Sequence, residues 1–371
     1  MGSGSSAWER IVRDDLAGLV PYAPGLRASE VRERCGRPRV LKLSSNESPH
    51  PPFPAALRAI RAVAPRVNRY PDGSARALRG ALAERLGVPA ENLVVANGSN
   101  ELLVLIAQAV LRPGDEVVFA WPSFVVYPMA CEMFGATAVR VPLADDTHDV
   151  EAMAGAITER TRVVFLCNPN NPTGTVYRRE ALERFLRRAP EHVLVVADEA
   201  YFEYVTDPGY PDSLAFFDGD RPLAVLRTFS KMYSLAGLRV GYGALPAPLA
   251  DAVHRLRAPF NVNTVAQAAA YHSLGDEAEV RRRRAENQEQ KTYLYSAFDR
   301  LGVSYAPSEA NFVYFHTSRP AEVFEALLEE GVIVRGFGTA PALRMTVGTP
   351  AETLDAVQAL EAAAERLRGL A

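Results

Sequence analysis

The chain has 371 residues, 48% apolar and 23% charged, with a formal net charge of −3. That length suits two domains rather than one small core. The composition is that of a soluble globular protein, and the charge leaves no basic surplus for nucleic acid or an acidic surface.

Met1-Gly-Ser-Gly-Ser-Ser6 formally fits an N-acylation pattern and, with Ala7, a Gly-x-Gly-x-x-Ala. No strand precedes these glycines, so a flexible tail is the simpler reading. No signal-peptide pattern is visible. Residues 8–20 read as an amphipathic helix with Trp8, Ile11, Val12, Leu16 and Leu19 on its apolar face. A short strand over 40–43 ends in Ser-Ser-Asn46-Glu47. A proline-stiffened loop and a helix over 55–63 follow, then a turn at Arg69-Tyr70-Pro-Asp-Gly73 and a helix over 76–86 closed by Gly87.

From residue 93 short apolar strands alternate with helices. Strands are expected at 93–96, 116–120, 138–141, 162–167, 192–197, 222–227 and 239–245, with helices from about 100 to 111, 127–134, 150–156 and 179–188 between them. This predicts a large α/β domain over 48–248 whose mostly parallel central sheet is flanked by helices. Beyond Pro246-Ala-Pro248 a long helical region runs past Arg284. The basic run 281–284 sits among glutamates and reads as a solvated helix face. Strands at 312–315, 332–335 and 343–347 with helices 321–330 and 351–367 predict a smaller α+β domain. It comprises residues 249–371 and is completed by 1–47.

No apolar stretch is long enough to span a bilayer. Cys35, Cys131 and Cys167 are odd in number, far apart and without metal-ligand spacing, so no metal is expected; their scarcity fits a reducing cytoplasm.

In an open α/β sheet, ligands bind outside the carboxyl ends of the strands. Ser99, Asn100, Phe124, Asn171, Asp198, Tyr201, Ser230 and Lys231 all follow strand exits, so they should converge on one edge. Lys231, beside a hydroxyl and near Arg239, suits an amine tuned for Schiff-base chemistry, because a nearby cation or burial favours the free amine. The plainer reading is a Ser-Lys surface turn. Gly98-Ser99-Asn100 opens a helix whose free N–H groups suit a phosphate, although Ser99 or Asn100 serves equally as a simple cap. Arg239 can pair with the same anion or form a surface ion pair. Phe124 can stack on a flat ring or simply pack. Asp198 can hold a protonated ring nitrogen or cap the next helix. Asn171 and Tyr201 can donate to a ring oxygen, or be a turn asparagine and a core tyrosine. Taken as an ordered set, these describe one cofactor, pyridoxal 5′-phosphate.

The same residues resemble the fold-type I pyridoxal-phosphate aminotransferases, near histidinol-phosphate aminotransferase, from about Tyr22 to the last helix. The motifs are Asn168-Pro-Asn-Asn-Pro-Thr-Gly174, Asp198-Glu-Ala-Tyr201, and Thr228-Phe-Ser-Lys231 with Gly237-Leu-Arg239. The resemblance implies that Lys231 is the Schiff-base lysine, that Asp198 meets the pyridine nitrogen and that Asn171 and Tyr201 meet the ring oxygen. It implies that Ser99, Asn100, Ser230 and Arg239 hold the phosphate. Tyr70 would reach the neighbouring subunit's site, which implies a homodimer. Tyr22, Asn46, Glu47, Asn311, Arg335 and Arg344 fall on the substrate side, with Arg344 as an anion clamp suited to its bidentate fork and Arg335 as a second anion contact. Met232 and Ser234 stand where the pattern has a small residue and a glycine, and bulk there is expected to alter the pocket.

The expected reaction moves an amino group from L-histidinol phosphate to 2-oxoglutarate. Trp121-Pro-Ser-Phe-Val-Val-Tyr127 also resembles the actinobacterial phenylalanine aminotransferases, so an aromatic amino acid is the alternative donor. A lyase or decarboxylase outcome is open to the same cofactor. A non-catalytic ligand sensor would need a DNA-binding domain, and the segment ahead of the large domain carries no such pattern.

Overall fold

A computed structural model describes residues 25–338 and 340–370, together with Ile11, Val12, Leu19 and Pro21. The helix expected over 8–20 falls mostly outside the described residues, and Tyr22 lies outside them altogether.

Eight strands form the larger sheet, in the spatial order Leu93–Ala96, Gly241–Ala244, Leu223–Thr228, Leu194–Asp198, Thr161–Cys167, Glu116–Trp121, Thr137–Ala144 and Thr147–His148. Gly241–Ala244 runs antiparallel to both neighbours, and Thr147–His148 is antiparallel to Thr137–Ala144. All other neighbours pair in parallel. Leu93–Ala96 therefore points the same way as the parallel set, and six strands carry their carboxyl ends to one edge.

The inner strands are buried on both faces, which is why they read as continuous apolar runs. Alternate side chains enter different cores, as the two-residue period of a strand demands. Val163, Phe165 and Cys167 pack with helices Ser99–Val110 and Ala247–Leu256 on one face. Val164 and Leu166 pack with helix Arg179–Arg188 on the other. Leu93 and Val95 join a third core built on helices Pro54–Val63, Arg76–Leu86 and Thr264–Ser273.

The long helical region is three helices, Ala247–Leu256, Thr264–Ser273 and Glu277–Leu301, because the chain turns at Pro259 and Phe260, the latter at φ +57°, and again at Leu274 and Gly275. The first two pack against Ser99–Val110 and Pro54–Val63. They thus sit with the large sheet, although the sequence boundary at 248 groups them with the smaller domain.

A second, four-stranded antiparallel sheet has the order Tyr305–Ala306, Phe312–His316, Ala342–Thr346, Arg335–Gly336. The single strand expected over 332–335 is two. Val332–Ile333 pairs in parallel with Leu41–Lys42, and the chain then changes partner so that Arg335–Gly336 joins Ala342–Thr346. That change ties the segment before residue 47 to the carboxyl-terminal sheet. Leu41 and Leu43 share one core with Val313, Phe315, Leu343, Met345 and helix Pro350–Leu367.

Candidate active site

The strand Leu223–Thr228 delivers the chain into a tight polar turn. Thr228 Oγ1 accepts the Ser230 N–H at 3.1 Å, and Ser234 N–H closes the next turn onto the Lys231 carbonyl at 3.0 Å. Between them Lys231 Nζ lies 3.5 Å from the Ser45 carbonyl and 5.6 Å from the centre of the Tyr201 ring. Burial lowers its ammonium pKa to about 8, and the nearby Arg344 and Arg239 cations push the same way against Glu47 and Asp198. A lysine so placed is about one-tenth free amine at pH 7, far more than an ordinary lysine.

Asp198 ends the neighbouring strand. Its Oδ2 accepts the Tyr127 hydroxyl at 2.8 Å, while Oδ1 is buried with no partner among the described residues. Burial pushes the carboxyl up to about 6 in spite of the Tyr127 O–H and the Ala200 N–H. Tyr127 is itself fully buried, stacked on Phe165 at 4.6 Å, with Phe124 edge-on at 5.8 Å. Sequence reading places Tyr127 only at a helix start. Phe124 lies just ahead of the helix Val126–Met133, and a turn that bonds the Tyr127 N–H to the Phe124 carbonyl at 3.1 Å brings the two rings together.

Asn171 and Tyr201 each engage a substrate-side residue. Arg344 Nη1 donates to Asn171 Oδ1, and Asn46 Nδ2 donates to the Tyr201 hydroxyl at 2.9 Å. The Tyr201 proton and the Asn171 amide remain as donors. Ser99, Ser230 and Arg239 form a second cluster. Arg239 Nη1 reaches Ser230 Oγ at 3.4 Å and Nη2 reaches the Asn97 carbonyl at 3.3 Å. Gly98 holds φ +80° at the head of helix Ser99–Val110, with Asn100 exposed on the first turn. Gly241 lies beneath; a Cβ there would come within 2.5 Å of the Ser99 nitrogen. Only glycine allows that approach, which seats the helix start on the neighbouring strand with the Arg239 guanidinium beside it, an arrangement suited to an anion.

On the substrate side, Asn46 adopts φ +52°, donates its N–H to Thr346 Oγ1 at 2.9 Å, and accepts from Asn311 Nδ2 at 3.2 Å. Arg344 is buried, donates to the Ser44 carbonyl at 2.8 Å, and stands 5.1 and 5.5 Å from the Phe312 and Phe337 rings. Arg335 is its cross-strand neighbour, half-buried. Glu47 is exposed and paired with Lys42 at 3.0 Å. Tyr70 is not joined to this rim by any hydrogen bond or ring contact among the described residues. It is 83% exposed and stacks on Phe260 at 4.7 Å.

Two expectations are corrected. Met232 does not intrude on the pocket: it is fully buried in the core with Phe53, Phe229 and Tyr233, because the turn points it away from Lys231. The run 281–284 is not a uniformly solvated face. Arg281 and Arg282 are exposed, but Arg283 is buried against Phe53 because the helix rotates one residue in four toward the large domain.

The residues fit a phosphorylated pyridine. A buried carboxylate oxygen lacks a donor, two hydroxyls and an arginine gather at a helix start packed on glycine, and an amine of lowered basicity lies on the same rim. Among the described residues no group of three His, Cys, Asp or Glu could hold a metal ion.

Residues 38–360 match the family model described as aminotransferase class I and II. The chain is 48% identical over 354 residues to histidinol-phosphate aminotransferase of Moorella thermoacetica, covering 94% of this chain and 92% of that one. It is 45% identical to histidinol-phosphate aminotransferase 2 of Carboxydothermus hydrogenoformans, covering 96% and 100%. Among solved structures it superposes on histidinol-phosphate aminotransferase from Sinorhizobium meliloti in complex with pyridoxal 5′-phosphate, with a TM-score of 0.88, 27% identity, and coverage of 96% and 98%. An aminotransferase model spanning most of the chain and near-full-length relatives lead to one conclusion: the chain belongs to the class I and II aminotransferases, in the histidinol-phosphate aminotransferase family.

Proposed function

We propose that this protein uses pyridoxal 5′-phosphate to move the amino group of L-histidinol phosphate to 2-oxoglutarate. The observation that carries the cofactor reading is the buried, unpartnered Oδ1 of Asp198 on the rim that also holds Lys231. When bound, the cofactor supplies an aldehyde that condenses with amines and a pyridinium ring that withdraws electrons. Asp198 keeps a proton on the ring nitrogen. Lys231 Nζ would hold the cofactor's aldehyde and, as an amine of lowered basicity, would take a proton from the substrate and return it. Asn171 and Tyr201 hold the ring oxygen, and Ser99, Asn100, Ser230 and Arg239 hold the phosphate. Phe124 would pack against the ring.

Arg344 and its cross-strand neighbour Arg335 place two cations at the substrate side, which supports a doubly anionic 2-oxo acid alternating with a phosphorylated donor. Asn46, Glu47 and Asn311 line the same side. The experiment compares L-histidinol phosphate with phenylalanine as donor to 2-oxoglutarate at matched concentration. Preference for the phosphorylated donor is expected. Preference for phenylalanine replaces the substrate assignment and leaves the cofactor reading standing.

The exposed Tyr70–Phe260 pair, with exposed Val67 close in sequence, supports a homodimer in which Tyr70 reaches the partner's phosphate site. Light scattering should give twice the chain mass, 40.4 kDa for each copy. Three free cysteines support a reducing, cytoplasmic setting. No helix among the described residues is long and apolar enough to cross a membrane.

A further inference from the structure

The turn that presents Lys231 is held from outside the sheet by one arginine of the helix Glu277–Leu301. Arg283 is only 4% exposed, and its guanidinium makes four hydrogen bonds, and one ring contact, with three separate segments. Nε donates to Glu279 Oε1 at 2.7 Å, one turn back on its own helix. Nη1 donates to Ser234 Oγ at 2.5 Å and to the Met232 carbonyl at 3.3 Å. Nη2 donates to the Pro51 carbonyl at 2.8 Å, and the group lies 4.4 Å over the Phe53 ring.

Two of those segments frame the reactive amine. Ser234 closes the turn onto the Lys231 carbonyl. The segment carrying Pro51 begins a few residues after Ser45, whose carbonyl lies within reach of Lys231 Nζ. A planar fork with five fixed donors can set the spacing between such segments in a way that a point charge cannot. Ser234 also sits at φ +57°, a conformation costly for a residue with a Cβ. Its hydroxyl, absent in glycine, supplies Arg283 with an acceptor there.

We propose that Arg283 is a positioning residue for Lys231, acting through Ser234 and Met232 on the turn and through Pro51 on the facing segment. The proposal rests on Lys231 being the reactive amine. Arg283 touches neither substrate nor cofactor; it fixes where Nζ starts and how far it travels. Misplacement of a reacting group by a fraction of an ångström is felt mainly in kcat, with little change in KM.

The test uses the cofactor-loaded, full-length protein and the variants Arg283→Met, Arg283→Lys and Ser234→Ala. The readouts are kcat and KM for the donor, and the pH midpoint of the visible absorbance band. Arg283→Met should lower kcat about tenfold or more with KM nearly unchanged, and should displace the midpoint of the band. Ser234→Ala, which removes one acceptor at a half-buried site, should shift both in the same sense by less. Arg283→Lys should recover part of the loss. Wild-type kcat and an unmoved midpoint in both Arg283→Met and Ser234→Ala overturn the proposal. If Arg283→Met does not fold, Ser234→Ala decides alone by the same criterion. Loaded wild-type protein in which borohydride traps nothing at Lys231 refutes the lysine assignment itself, and the proposal with it; that result is distinct from unchanged variants on a trapped wild type.

Discussion

Replacing Tyr127 with phenylalanine removes a single oxygen and should be felt at the far end of the cofactor ring. The hydroxyl donates to Asp198 Oδ2 at 2.8 Å, and both residues are buried, at 0% and 3% exposure. A hydrogen bond to a charged group contributes about 1.5–3 kcal/mol. Losing it from the ionised form of Asp198 raises that carboxyl by about one to two pH units, from a value that burial has already pushed up to about 6. In the ligand-free protein the carboxyl then titrates around or above neutral pH; a protonated ring nitrogen beside it draws it back down, but Asp198 still holds that proton less firmly than in wild type. At pH 7 the expected loss in kcat is about tenfold. Activity should return as the pH is raised, because the acid limb of the profile moves upward. Steady-state kcat measured across that range for both proteins is the assay. An acid limb that stays in place, with kcat within about twofold of wild type, refutes the reasoning.

Lys231→Ala should retain the cofactor, which the phosphate cup still grips, yet lose turnover; near-normal turnover of purified Lys231→Ala would sink the assigned role. Gly241→Ala sets a methyl group 2.5 Å from the Ser99 nitrogen and 2.7 Å from the Gly98 carbonyl carbon, so the helix start must shift. Cofactor retention on dialysis should weaken about tenfold, and unchanged retention would show that the helix start is not the phosphate site. Glu203 is buried with Oε2 unpartnered, and burial pushes its carboxyl from 4.5 to about 7. Its folded pKa lies above the unfolded one, so its contribution to stability is full below about 4.5 and is lost as pH rises through about 7, on the order of 3 kcal/mol in all. Thermal melts of cofactor-free protein should therefore fall more steeply from pH 5 to 8 in wild type than in Glu203→Gln, and parallel curves would count against it.

Much of the site could be read along the chain because it is made of strand exits. A buried parallel strand announces itself as a short apolar run, and the first polar residues after it must lie at the sheet edge. Ser99, Asp198, Ser230 and Lys231 are local in that sense: each is placed by the strand immediately before it. The sheet, the helices on its faces and the carboxyl-terminal α+β elements follow from the same periodicities.

Contacts between segments far apart in sequence were decided by packing. Tyr127 meets Asp198 across 71 residues and Arg344 meets Asn171 across 173. Neither pairing has a periodic signature, since each depends on how two independently formed elements dock. The run at 281–284 looks uniformly charged, and only the docking of its helix on the large domain sends Arg283 inward while Arg281 and Arg282 stay in water. The partner change between Ile333 and Arg335 is of the same kind. Local sequence thus determined which residues stand at the edge of the sheet. Tertiary structure decided which of them share protons, because hydrogen bonds among buried groups form between whatever surfaces the packed cores bring within 3 Å.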